Sequence, residues 1–144
     1  MRKIIALAGI LAAGVAAYLL VQQSRSVDPT TAETSAQSNE LAQVKVPEVL
    51  SAEASAGRTS YQAKCASCHG NNAAGLDGVA PPLVHKIYEP SHHGDEAFQR
   101  AAALGVRGHH WPFGDMPPVA GLTREDVAMI VAYIRELQRF NGIN

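Results

Sequence analysis

The sequence has little cysteine and no excess of positive charge. Its 144 residues include two cysteines, Cys65 and Cys68, whose separation is far shorter than a framework of fold-closing disulfides normally uses. Lysine and arginine number 12 against 13 acidic residues, so no broad basic field exists to attract nucleic acid or an anionic membrane surface. We therefore expect a chemical role for the two cysteines and no nucleic-acid partner.

The sequence also lacks any stretch that alternates polar and apolar residues convincingly with a period of two, the pattern typical of a half-buried strand. The chain is long enough for one ordinary domain and too short for two once a targeting segment is removed. Together these absences predict a single all-α domain.

A long hydrophobic run occupies the N-terminus. It extends from Ile4 to Val21, directly after Arg2 and Lys3. Its 18 residues exceed the ~7–15 of a typical signal-peptide core and just reach the length that spans a bilayer as a helix. By the positive-inside rule, the chain that follows faces the periplasm. We expect residues 1–21 to be an uncleaved, helical membrane anchor; the alternative is a cleaved signal peptide and a soluble periplasmic protein.

Residues 22–50 have a different composition, dominated by Gln, Ser, Thr, Ala and scattered acids, without aromatic residues. Such a segment has too little apolar surface to form a core and is typical of a flexible linker. The sequence thus predicts a linker at 22–50 and one folded domain at 51–144.

Three helices are predicted in that domain, at about residues 51–65, 95–105 and 123–141. The last has apolar residues at helical spacing behind a Thr123 cap with Asp126 three residues later. Gly57 interrupts the first helix, which suggests that another helix approaches closely there. Long loops at 70–84 and 106–121 require something to pack against.

The chemistry of the domain is indicated by Cys65-Ala66-Ser67-Cys68-His69. This is the haem-attachment pattern, in which two thiols form thioethers with the haem vinyl groups and the adjacent imidazole can ligate the iron. A thioredoxin-like Cys-x-x-Cys motif is an alternative, but it belongs near a strand, and none is predicted before Cys65. A zinc site would have to recruit His69 and a distant histidine.

Further landmarks appear in order along the chain: Gly57, Tyr61, Gly70, Ala80 to Leu83, Asp115 to Pro118, and Tyr133-Ile134. With the pentapeptide, they make the sequence resemble the class I mono-haem c-type cytochromes from Ser51 to Phe140. The resemblance implies a small helical bundle around one covalent haem c. It also implies that the first and last helices cross where Gly57 and Tyr61 meet the Tyr133 region.

The same resemblance implies a set of site residues. His69 is then the proximal iron ligand, and Pro81 offers its carbonyl to the outer nitrogen of that imidazole. Leu83 packs on the haem. Met116 is the expected sixth ligand, since Met1 begins the chain and Met129 lies within the last helix; the alternative for Met116 is a packing role. Three further side chains are candidate donors to the haem propionates: Tyr88, Arg107 and Trp111.

A haem iron held by both His69 and Met116 has no open position for a substrate. We therefore expect a periplasmic one-electron carrier that serves redox partner proteins of a respiratory chain, and not an enzyme. The alternatives are a haem-based ligand sensor or peroxidase-like protein in which Met116 is labile, and a thiol-redox or copper-binding protein.

Five histidines lie outside the attachment motif: His85, His92, His93, His109 and His110. The two adjacent pairs flank the 95–105 helix, whose ends lie roughly 15–20 Å apart, so a site using both pairs requires the loops to fold back. One interpretation is that these histidines cap helices or line the haem edge. A sharper hypothesis is that His109 and His110 bind a second metal such as copper, or compete with Met116 for the iron.

Overall fold

A computed structural model describes residues 39–144 of the chain. The predicted hydrophobic helix at 1–21 and the first part of the predicted linker, 22–38, lie outside the described residues. In chain order the helices are α1 (Ala52–Lys64), α2 (Ala66–His69), α3 (Asp95–Leu104) and α4 (Arg124–Phe140), with 3₁₀ helices at Asn71–Ala73 and Lys86–Tyr88 between α2 and α3. Over residues 39–144 the extended pairings are isolated bridges without a strand, so the predicted all-α class is confirmed.

Each predicted helix is present, and local sequence explains where it begins. The Ser51 hydroxyl accepts a hydrogen bond from the Ala54 N–H and caps α1. At α4, the Thr123 side chain accepts from the Asp126 N–H while the Asp126 carboxylate accepts from the Thr123 N–H. This reciprocal arrangement is the predicted capping box, and it satisfies two amides that the helix itself leaves unpaired.

The helices α1 and α4 cross at Gly57, as the sequence predicted. A Cβ atom placed on Gly57 would lie 1.8 Å from the Met129 carbonyl oxygen, so no larger residue fits without moving a backbone. One turn further along α1, the buried ring of Tyr61 packs against Tyr133 of α4, with ring centroids 5.6 Å apart. The absence of a side chain at Gly57 is therefore what allows the two helices to approach this closely.

The two tyrosines at this crossing also fix the loop that follows α2. The Tyr61 hydroxyl donates to the Gly70 carbonyl at 2.9 Å, and the Tyr133 hydroxyl donates to the Asn72 side-chain oxygen at 3.0 Å. Both bonds connect the core to residues just after the Cys-x-x-Cys-His motif. The motif is thus held at its C-terminal side by the helix crossing.

The folded unit begins at Asn39, earlier than the predicted boundary at residue 51. The Lys45 backbone exchanges two hydrogen bonds with the Asn141 side chain, at 2.9 and 2.7 Å. Three apolar side chains of the segment also pack against the core: Val44, Val46 and Leu50. The prediction of a flexible linker is therefore wrong for residues 39–50, which belong to the folded unit. It failed because the average composition of residues 22–50 hides the few apolar side chains that pack on the core.

No helix within residues 39–144 has both the length and the apolar character needed to cross a membrane.

Candidate haem site

The predicted site residues all line one cavity of about 840 Å³, within the size range of pockets that bury a cofactor. It is bounded by the C-terminal end of α1, by α2, α3 and α4, and by the loop between α3 and α4. The predicted residues on its wall are Cys65, Cys68, His69, Pro81, Leu83 and Met116. Apolar side chains of α4, among them Ile130 and Ile134, complete the wall.

The two cysteines are placed by a break between helices. Cys65 ends α1 and immediately precedes the single turn of α2, whose His69 N–H bonds back to the Cys65 carbonyl at 2.9 Å. The two cysteines form no disulfide with each other. Burial, and to a smaller extent the neighbouring Cys68, raises the pKa of the Cys65 thiol to about 11. A thiol-redox motif depends on a lowered thiol pKa, so this environment does not suit that alternative.

His69 is buried and oriented by one hydrogen bond. Its Nδ1 lies 2.9 Å from the Pro81 carbonyl oxygen, the contact that the resemblance to c-type cytochromes implied. A carbonyl can only accept, so Nδ1 carries the proton and Nε2 keeps its lone pair. Burial lowers the pKa of His69, while the bond to Pro81 acts in the opposite direction. The result is a neutral imidazole with a fixed tautomer, which is the form that ligates a metal.

Met116 is held by its backbone. Its N–H and carbonyl both bond to Val106, each at 2.9 Å, so the chain returns alongside the residue that follows α3. The turn out of α3 uses Gly105 at φ +76°, where a Cβ would lie 2.4 Å from the Met116 carbonyl oxygen. The half-buried Met116 side chain lines the cavity. Because the Met116 backbone is held by Val106 and followed by Pro117 and Pro118, its thioether can move only within a limited region.

Trp111 provides a test of whether the cavity suits a haem. Its indole N–H is buried and makes no hydrogen bond of good geometry among the described residues, although it lies close enough to the Tyr88 hydroxyl to oppose the rise in the pKa of Tyr88 that burial causes. The ring stacks on Phe113 at an interplanar angle of 12° and lines the cavity. A buried donor without a well-formed hydrogen bond is costly, so this site suits a group that brings its own acceptor. The haem propionates are such acceptors, and Tyr88 and Arg107 lie on the same wall.

Comparisons with known proteins agree with this geometry. The family model for cytochrome c matches residues 54–138. Cytochrome c-554(547) of Halothiobacillus neapolitanus is 37% identical over 90 residues, which cover 60% of this chain and 98% of the relative. The chain belongs to the cytochrome c family.

Membership in this family implies covalently bound haem c, and the cytochrome carries the attachment motif at Cys65 and Cys68. When bound, haem supplies an iron centre that gains and loses one electron. Because covalent attachment of haem uses both cysteines, it excludes the thiol-redox and zinc alternatives for Cys65 and Cys68. On the wall of the cavity the chain places the buried, oriented imidazole of His69, the Met116 side chain and apolar residues of α4.

Four of the histidines outside the attachment motif come together in the structure, although α3 separates the pair His92-His93 from the pair His109-His110 in the chain. Ring centroids lie 5.5 Å apart for His92 and His110, 5.3 Å for His93 and His110, and 4.1 Å for His109 and His110. His93, His109 and His110 lie on the cavity wall. Desolvation and the other three imidazoles lower the pKa of His110. The remaining histidine, His85, accepts from the Ile87 N–H and caps a 3₁₀ helix, as the simpler interpretation predicted.

Sequence reasoning missed Arg135, which is 6% exposed on α4. Its guanidinium donates to the carbonyls of Tyr88 and His93 and pairs with Asp95 at 2.9 Å. It therefore fixes the segment that leads into α3. The sequence did indicate that Arg135 is buried, because it lies four residues after Val131 and therefore on the apolar face of α4.

Proposed function

We propose that this cytochrome is a one-electron carrier on the periplasmic side of the cytoplasmic membrane, where it serves redox proteins of a respiratory chain. The observation that carries the proposal is the pair formed by His69, oriented through Pro81, and Met116, held through Val106, in one cavity. Two protein ligands leave the iron without a free position and require little rearrangement when it changes oxidation state.

The surroundings of the cavity favour a carrier over a peroxidase-like enzyme or a ligand sensor. Such an enzyme needs a polar group that can exchange protons near the iron. The Asp115 carboxylate on the cavity wall accepts the Gly108 N–H at 2.8 Å and so stabilises the loop. Of the histidines on this wall, His93 and His109 are held through Nδ1 by backbone carbonyls, and His109 and His110 are exposed to solvent. The two backbone hydrogen bonds between Met116 and Val106 hold this loop in place and oppose the loss of the sixth ligand that a sensor requires.

Haem staining after denaturing electrophoresis tests the proposal first, because a covalent haem survives denaturation. The protein is produced with the host's cytochrome maturation system, and a Cys65→Ala/Cys68→Ala variant is the control. A redox titration should then follow a one-electron Nernst curve, about 59 mV per tenfold change in ratio. The reduced protein should not bind carbon monoxide. Binding of carbon monoxide by the wild type would contradict the carrier and favour the sensor.

The location is proposed from residues 1–21 alone. Protease added to intact spheroplasts should remove the haem domain and leave an N-terminal fragment of about residues 1–21 in the membrane, while a cytoplasmic marker protein stays intact. Protection of the haem domain would contradict the periplasmic location. A soluble protein whose mature N-terminus lies near Tyr18 would show instead that the segment is a cleaved signal.

A further inference from the structure

We propose that His92, His93 and His110 form a second metal site, for a divalent transition-metal ion such as Zn²⁺ or Cu²⁺, at the rim of the haem cavity. One nitrogen from each imidazole lies within 4.8 Å of the other two. Nitrogens that share a tetrahedral ion at metal–nitrogen distances of 2.0–2.1 Å lie about 3.4 Å apart. Small rotations of the two exposed side chains, His92 and His110, therefore close the site.

The third ligand is already oriented. The His93 Nδ1 lies 2.6 Å from the Ile87 carbonyl oxygen, so Nδ1 donates a proton there and Nε2 keeps its lone pair. Imidazoles that bind metals are commonly held in this way by a backbone carbonyl on the opposite nitrogen. The same arrangement recurs at His109, whose Nδ1 lies 2.9 Å from the Arg107 carbonyl oxygen. His109 thus lies beside His110 with its own Nε2 lone pair available.

Both segments that carry the ligands are anchored independently of any metal. Arg135 donates to the His93 carbonyl and pairs with Asp95, which fixes the segment before α3. After α3, the double hydrogen bond between Val106 and Met116 closes the loop that contains His110. A preformed arrangement reduces the loss of conformational entropy on binding, and this loss usually opposes metal capture by loops.

The donor set decides the class of ion. Three imidazoles without a carboxylate suit zinc, copper or nickel, whereas magnesium and calcium require oxygen ligands. His93 and His110 belong to the wall of the haem cavity. All three histidines lie outside the attachment motif, and the site leaves His69 and Met116 in place. The proposal therefore stands apart from the electron-carrier function, and its test measures metal content.

The experiment uses the full-length, haem-loaded protein without a histidine tag, kept oxidised so that it does not reduce Cu²⁺. After treatment with a chelator, the protein is dialysed against Zn²⁺ and desalted, and its zinc-to-haem ratio is measured by mass spectrometry. The test variant is His92→Asn/His110→Asn, which removes two exposed imidazoles. The matched control is His85→Asn, which removes an imidazole outside the cluster and keeps an oxygen that can cap the 3₁₀ helix.

We expect one zinc per haem in the wild type and in the His85→Asn control, and loss of that zinc in the double variant. Cu²⁺ bound at the same site should give an electron paramagnetic resonance signal with splitting from nitrogen ligands, absent in the double variant. The proposal is overturned if the wild type retains no stoichiometric metal, or if the double variant retains as much as the wild type. Unchanged haem spectra in all three proteins separate a folding defect from loss of the site.

Discussion

Replacement of Gly57 by alanine tests the helix crossing directly. An ideal Cβ at this position lies 1.8 Å from the Met129 carbonyl oxygen and 3.0 Å from the Ile130 nitrogen. A carbon and a carbonyl oxygen in contact stay about 3.3 Å apart or more, so α1 and α4 must separate locally by roughly 1.5 Å. The obstacle is backbone within a helix, which cannot move aside as a flexible side chain can.

Helix propensity and packing have opposite effects on the stability of Gly57→Ala. Alanine favours the helical state over glycine by about 1 kcal/mol. Overpacking of a well-packed core costs about 1–3 kcal/mol and occasionally more. Separation of the helices also pulls Tyr61 away from Tyr133 and weakens the hydrogen bonds that hold the loop after the haem motif. We expect a net decrease of about 2 kcal/mol in the free energy of unfolding.

Guanidinium unfolding of the haem-loaded protein, followed by far-ultraviolet circular dichroism, measures this change. The control is Ala56→Gly, because Ala56 is exposed on the same helix and should lose about 1 kcal/mol from helix propensity alone. If Gly57→Ala is as stable as the wild type or more stable, the two helices do not approach as closely as described, and the explanation given for this glycine is wrong.

Three further predictions concern the haem site and α4. Met116→Ala should keep the haem attached, lower the reduction potential and allow the reduced protein to bind carbon monoxide; an unchanged potential and spectrum would assign the sixth ligand to another residue. Trp111→Phe should keep the stacking but remove a donor to a charged acceptor, and should reduce the free energy of unfolding of the haem-loaded protein by about 1.5–3 kcal/mol; an equally stable variant would show that the indole N–H has no such partner. The Thr123 N–H, and then the Thr123 hydroxyl, lower the pKa of Asp126 below its usual 3.8. The stabilisation from Asp126 is therefore present above that value and lost as the pH falls through the pKa in the folded protein, so acid titrations of stability should be shallower for Asp126→Asn than for the wild type.

The haem-attachment motif, the three main helices and the capping box could be predicted from sequence because each depends on residues close together in the chain. The spacing of Cys65, Cys68 and His69 is itself the signal for haem attachment. Likewise, the apolar period of α4 and the cap at Thr123 lie within a few turns of helix. Gly57 marked a close approach, and the resemblance to c-type cytochromes supplied α4 as the partner.

The sequence did not determine where the folded unit begins, what Arg135 contacts or whether the histidine pairs meet. Contacts from Val44, Val46 and Leu50 to the core join residues far apart in sequence, and average composition cannot show them.

The histidine cluster shows most clearly what only the tertiary structure decided. Along the chain, the pairs at 92–93 and 109–110 are separated by the length of α3, about 15 Å for its ten residues. The two pairs meet because two contacts position them. Gly105 reverses the chain after α3, and the hydrogen bonds between Val106 and Met116 close the loop that contains the pair at 109–110. Arg135 donates to the His93 carbonyl and so fixes the pair at 92–93. Local spacing in the sequence thus identified Cys65, Cys68 and His69 as the haem-attachment motif. Only long-range hydrogen bonds and packing decided which histidines became neighbours.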